Sequence, residues 1–404
     1  MLFNALFFTG FFGWVLFSDR FLIGGDAFVY SYPLRTVAWQ MIREGHLPLW
    51  TPLLFSGYPV LSMAQVAVGY PLTWVYLILP GYYAEQIFVL APFLLLPAFT
   101  YAYARTISLS RTASLLAGLT CGYGGMMTSA SGAIGYLPNA FMWLPLVLIP
   151  IERARTKSFA GCLCWATLAD AMSVLVGYGF GLLLVGTISV GYGAFVSAIT
   201  SDLKQRRINW RPLGVAVGGL ALSLGLAAFQ ILETMRAVRR SVRSSLDYET
   251  FSEGSFSPLE AFNSFLAPLD HYWDVSTYVA PLAFALAVLA CVRAARDPRR
   301  DPRILFWLVL AVVASVLMLG ANTPLYRLVY RIPLFNLFRV PARHCFEWMF
   351  AISILSAYGW DALGVAASRV WGARQKVQWQ NIVIIFGSGS HEGESKTTII
   401  TMNE

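Results

Sequence analysis

Long apolar runs separated by short charged breaks set the pattern of this chain. A helix that crosses a bilayer needs about 20 consecutive apolar residues. Runs of that kind fall at 2–18, 85–105, 112–130, 138–151, 159–177, 180–200, 212–232, 277–293, 304–320 and 345–364. The expected fold is therefore all-α: a polytopic membrane protein of about ten transmembrane helices. Three longer connections interrupt the runs, at 19–84, 233–276 and 321–344. The first holds a short apolar piece, 70–80, bracketed by prolines and too short to cross alone, which predicts a re-entrant or interfacial segment. The expected domain covers residues 1–380. Residues 381–404 turn polar after the run IVIIF and read either as a disordered tail or as a truncated end.

Composition supports the membrane class. The 404 residues are 57% hydrophobic and 12% charged, with a mean hydropathy of +0.61, against about 25% charged in a soluble domain. The net charge of +8 reports orientation and not nucleic-acid binding, because Lys and Arg accumulate in cytoplasmic loops. With 19–84 outside, five short loops on the opposite side carry 17 of the 29 Lys and Arg, from Arg105 and Arg111 to Arg369, Arg374 and Lys376. Both ends then lie in the cytoplasm, and any site built on long loops is extracytoplasmic. Met1 to Phe17 lacks a basic leader and a small-residue cleavage site, which predicts a retained first span. The five cysteines sit in or beside apolar runs and read as small buried hydrophobes.

Candidate chemistry concentrates in 24–71, a stretch with five prolines and two tryptophans. Asp26 follows Gly24-Gly25 just past the first span. It reads either as a general base at the outer membrane face or as a helix-capping or solvated acid. Tyr32 to Glu44 is an amphipathic helix with Pro33 in its first turn, Val37, Ala38, Met41 and Ile42 along one side and Arg35 and Arg43 on the polar side. It suits either the membrane interface plane or burial against the protein. Trp50, Tyr58 and Gln65 lie on the proline-stiffened loop that follows. Aromatic rings there suit either sugar stacking or the membrane–water boundary. His46 has no ligand-spaced partner, so neither a metal nor a cofactor is expected.

Arginines on the outer side run against the orientation bias. Arg236, Arg239, Arg240 and Arg243 follow the span ending near 232, and Arg339 and Arg343 stand in FRVPARH before the last span. An arginine at membrane depth costs about 2.5–3.5 kcal/mol, and its planar fork matches phosphate. The 236–243 group reads equally as pairing with Glu233, Asp247, Glu249 or lipid headgroups. Glu347 is expected to pair with Arg343 one turn earlier. Asp170, ionisable inside a span, reads as a functional group or as a helix–helix hydrogen-bonding residue.

The pieces GDAFVYSYP, EGHLPLWTPLLFSGYP, MAQVAVGYP, WLPLVLIPIE, LGLAAFQILETMRAVRRSVRS, SPLEAFNSFLAPLDHYWDVSTYVAP and PLFNLFRVPARHCFEWMFAISILSAYGWDAL cover most of residues 20–365. Their order resembles the YfhO-type bacterial membrane proteins, a branch similar to GT-C glycosyltransferases. The loop G-x-L-P-L-W-x-P…G-x-P and the box F-R-x-P-x-R are its specific signals. The resemblance implies inverting transfer of a sugar from a polyprenyl-phosphate donor to an extracytoplasmic cell-envelope acceptor such as teichoic acid, at the bacterial cytoplasmic membrane. Asp26 matches the acid that activates the acceptor hydroxyl, and Arg339 and Arg343 would neutralise the leaving phosphate. The loop near 130–138 lacks the second acid of many GT-C enzymes, and Asp270 and Asp274 are the nearby substitutes. Members of the family continue into further spans and an outer domain, so this chain is expected to be a fragment. A lipid-linked sugar flippase and a non-catalytic scaffold are the competing readings.

Overall fold

The computed structural model describes residues 2–18, 20–54, 56–133, 135–200, 208–241, 246–266, 275–297 and 301–364. Arg243, Asp270, Asp274 and the tail 381–404 lie outside the described residues. The chain divides into two compact units, Met1–Trp360 and Asp361–Glu404; of the second, residues 361–364 are described and are helical.

Among the described residues the architecture is helical, with no strand and one isolated antiparallel bridge, Thr51 to Tyr58. The helices are α1 (Leu2–Leu16), α2 (Tyr32–Arg43), α3 (Gly81–Thr106), α4 (Arg111–Gly122), α5 (Gly125–Ala133), α6 (Tyr136–Phe141), α7 (Leu144–Arg153), α8 (Phe159–Leu175), α9 (Gly179–Ile199), α10 (Arg211–Leu226), α11 (Ala228–Val238), α12 (Tyr248–Phe251), α13 (Pro258–Leu266), α14 (Pro281–Arg296), α15 (Arg303–Met318) and α16 (Tyr326–Tyr330). Residues 345–360 form a further helix, α17. Ends are set by local chemistry: the Ser110 hydroxyl accepts from Ala113 N–H at the start of α4, and Ser158 does so from Gly161 N–H before α8.

Every expected span is represented by helix, but the count of ten does not follow from helix length. Among the described residues, α3 and α9 are long and apolar enough to cross a membrane, and α10 with α11 makes a third if that pair, bent by 74°, is one span. Helices α1, α8 and α15 are apolar but shorter. The expected run 112–130 breaks between α4 and α5, and 138–151 breaks between α6 and α7. The apolar piece 70–80 does not form a long helix; it is a 3-10 helix, Pro71–Leu77.

Small residues allow the tight helix contacts. A Cβ on Gly118 would lie 2.6 Å from the Pro97 carbonyl, and one on Gly122 would lie 2.1 Å from the Pro97 ring, so α4 meets α3 across two glycines. At the α7–α15 end, Arg303 Nε and Nη2 donate to the two oxygens of Glu152 at 2.7 and 2.8 Å. Tyr192 also donates to Glu152, and Tyr103 donates to Tyr192 at 2.7 Å. Asp301 accepts from Arg303 at 3.1 Å and from Tyr358 at 2.9 Å. One buried cluster thus joins α3, α7, α9, α15 and α17. Cysteine burial is mixed: Cys121, Cys162 and Cys345 are buried, Cys164 is exposed and Cys291 is half-buried.

Candidate functional site

The first loop is a folded layer anchored by one buried charge pair. Arg35 was expected on the polar face of α2, yet its side chain is fully buried. It donates to Glu85 at the start of α3, donates to the Gln65 carbonyl at 3.1 Å and stacks over the Phe88 ring at 4.1 Å. Tyr76 donates to the same Glu85 carboxylate. Burial alone would lower the guanidinium pKa; the Glu85 charge and Tyr76 outweigh it and raise the pKa. Leu34, Ala38 and Trp39 of α2 are buried with it, so this helix packs against protein. The physical reason is that Glu85, at the head of an apolar helix, needs a cation, and α2 supplies it. Arg43 closes the other end of α2 onto the carbonyls of Tyr76 and Leu79.

Asp26 is exposed at the head of a π-helical turn, Ala27–Ser31, and its side chain makes no capping hydrogen bond. Helix α5 packs beside that turn. Trp50 lies half-exposed with its ring over Gly57, where an added Cβ would be 2.0 Å away. The Tyr58 hydroxyl is 3.2 Å from that of Tyr30. Gln65 contributes its carbonyl to Arg35, a main-chain role that side-chain reasoning missed.

The arginine box is held differently. Arg339 is half-exposed and pairs with Glu253 at 2.8 Å. Arg343 donates to the Tyr178 hydroxyl at 2.9 Å, with its guanidinium carbon 5.9 Å from that ring's centre. Glu347 does not take the expected partner: its two oxygens lie 3.0 and 2.9 Å from His344 Nδ1, both side chains being buried. The turn between the two arginines is strained, because Val340, a β-branched residue, has a φ of +68°. Its conformation is held by Gly254, whose carbonyl accepts from Ala342 N–H at 3.2 Å. Such strain persists only where the surroundings enforce it.

Residues 177–179 bring the loop and the box together. Gly177 has a φ of +77°, and a Cβ there would lie 1.9 Å from the Ala64 carbonyl oxygen. Gly179 faces Phe338, whose ring would be 2.6 Å from an added Cβ. Tyr178 between them is buried, packs on Tyr136 at 5.1 Å and receives the Arg343 bond. The tripeptide Gly-Tyr-Gly is thus seated on the first loop on one side and on the arginine box on the other. Sequence reasoning missed Tyr178; the close glycine spacing of VGYGFG was the available signal.

The remaining candidates stand apart. Arg240 is exposed at the end of α11, and Arg236 pairs with Glu233 at 2.8 Å. Asp170 is buried in α8, and neither of its oxygens has a hydrogen-bond partner among the described residues, so the helix–helix hydrogen bond expected of it is not formed.

No protein-family model matches this chain, and no curated protein matches it. Among solved structures it is similar to the archaeal oligosaccharyltransferase AglB from Archaeoglobus fulgidus, a structure holding an inhibitory peptide and a dolichol-phosphate. The identity is 13% and the TM-score 0.49, over 98% of this chain and 52% of that one. This chain therefore spans about half the length of that protein. The likeness is too slight to carry an argument about activity.

Proposed function

We propose that this chain is the membrane part of a GT-C-like glycosyltransferase that takes a sugar from a polyprenyl-phosphate donor, with about ten spans and its site on the extracytoplasmic side. The observation that carries the reading is the seating of Gly177-Tyr178-Gly179 between the first loop and the arginine box, with Arg343 fixed by Tyr178. Arg339 and Arg343 hold the donor phosphate, Arg343 pre-oriented and Arg339 released from an exposed ion pair that costs little to break. As the bond from the anomeric carbon to the phosphate oxygen breaks, charge grows on that phosphate, and fixed cations stabilise it. Asp26 accepts the proton of the attacking acceptor hydroxyl, a contribution of about 10²–10⁴-fold. The new bond forms opposite the leaving group, so the anomeric configuration inverts.

The test is sugar transfer in membranes holding the full-length protein. Asp26→Asn should cut the rate at least about a hundredfold while polyprenyl phosphate still binds; unchanged transfer removes Asp26 from the role. A second reading, movement of a lipid-linked sugar across the bilayer, draws on Asp170, a carboxyl group buried in an apolar helix with no hydrogen-bond partner among the described residues. Movement of labelled lipid-linked sugar in proteoliposomes, abolished by Asp170→Ala and without transfer to any acceptor, would favour it.

A further inference from the structure

The hairpin closed by Thr51 and Tyr58, with the stretch that leads into it, carries exposed apolar side chains. Leu47, Leu49, Trp50 and Leu53 are 74%, 54%, 54% and 74% exposed. Their display is fixed by the fold. Thr51 and Tyr58 exchange N–H···O bonds of 2.9 and 2.8 Å, the Trp50 ring rests on Gly57, and Pro48 is buried beneath. Ile78, 81% exposed, stands just before α3. Arg43 ties the end of α2 to the carbonyls of Tyr76 and Leu79, so the hairpin leaves α2 beside the segment that leads into α3.

The charge pattern selects the occupant. Between Glu44 and Glu85 the chain has no Lys, Arg, Asp or Glu. A charged side chain at membrane depth costs about 2.5–3.5 kcal/mol, and this segment carries none. A lipid interface needs none, and it favours tryptophan at its boundary. The segment also runs directly into α3, a helix long and apolar enough to cross a membrane. Monomers in water seldom leave such a patch uncovered. We propose that the Leu47–Leu53 stretch, held by the Thr51–Tyr58 bridge, inserts into the outer boundary of the bilayer as a membrane anchor of the first loop. Trp50 thereby faces lipid and not a sugar ring. This assignment is independent of the proposed activity.

The test uses the full chain in nanodiscs of phosphatidylcholine and phosphatidylglycerol, with Cys164 and Cys291 replaced by alanine. An environment-sensitive fluorophore is placed through Leu49→Cys, through Leu53→Cys, or through Glu249→Cys as an exposed control. Headgroup-region spin-labelled lipid should quench positions 49 and 53 several-fold more than aqueous iodide does, with the order reversed at 249. Iodide quenching at 49 and 53 equal to that at 249 would overturn the proposal. So would shielding from both quenchers, which would mean that protein, including a second copy of this chain, covers the stretch. Thermal unfolding matched to the parent chain shows that the labelled variants are folded, and two positions guard against one failing.

Discussion

Arginine does two different jobs at the two long-range sites of this chain. Arg35 and Arg303 are shielded from water and closed onto Glu85 and Glu152, acids contributed by other helices. Arg339 pairs with Glu253 near solvent, and Arg343 rests on a neutral tyrosine hydroxyl. A guanidinium already neutralised by a carboxylate in a dry setting has no capacity for a ligand anion. One nearer to solvent can exchange its partner for an anion at small cost. Burial, more than position along the chain, separates the arginines locked into dry pairs from Arg339 and Arg343, which solvent reaches.

The largest effect should come from opening a buried pair. Glu85→Ala strands the Arg35 charge and is expected to cost about 3–5 kcal/mol; Glu152→Ala leaves Arg303 with Asp301 as its remaining carboxylate and should cost less. Thermal or denaturant unfolding in detergent measures this, and a loss below about 1 kcal/mol would place these arginines with the exposed class. Next is Gly177→Ala. It imposes a positive φ on alanine and drives a methyl group into the Ala64 carbonyl, for about 1–3 kcal/mol or more. If its stability were unchanged, the loop and the arginine box would not be joined as described.

Much of this contrast was hidden in the sequence. Hydropathy marked where helices occur, because apolar runs and serine caps are local signals. It could not show that Arg35 turns inward: amphipathic periodicity placed it on the polar face, and its partner Glu85 is 50 residues away. Arg339 and Arg343 stood out because cations are uncommon before an outer helix start. The identity of their partners, Glu253 and Tyr178, depends on tertiary contacts 86 and 165 residues distant in sequence. Glu347 pairing with His344 in place of Arg343 has a local cause: the 3-10 turn Pro341–His344 points the two neighbouring side chains apart, one to Glu347 and one to Tyr178.

Smaller effects sharpen the comparison from the exposed side. Arg339→Gln should change unfolding stability by less than about 1 kcal/mol, as exposed ion pairs do, while still weakening phosphate binding. A large stability loss would move Arg339 into the structural class. Smallest of all, Asp247 accepts a hydrogen bond from Thr250 N–H at 2.9 Å, which holds its folded pKa below the ordinary value. A depressed carboxylate pKa gives stability that is present above the unfolded pKa and is lost as pH falls through the folded one. Protection factors at Tyr248–Phe251, with exchange corrected for its intrinsic pH dependence, should therefore fall on acidification, and Asp247→Asn should remove most of that change.

The most direct measurement is the affinity of polyprenyl phosphate for the full-length protein in nanodiscs, compared with Arg343→Gln and Tyr178→Phe. A lost charge-assisted hydrogen bond is worth about 1.5–3 kcal/mol, so Arg343→Gln should weaken binding at least about tenfold. Tyr178→Phe should weaken it by a smaller factor and have no further effect once Arg343 is gone. Equal affinity for the parent chain, Arg343→Gln and the double substitution Arg339→Gln with Arg343→Gln would contradict the account.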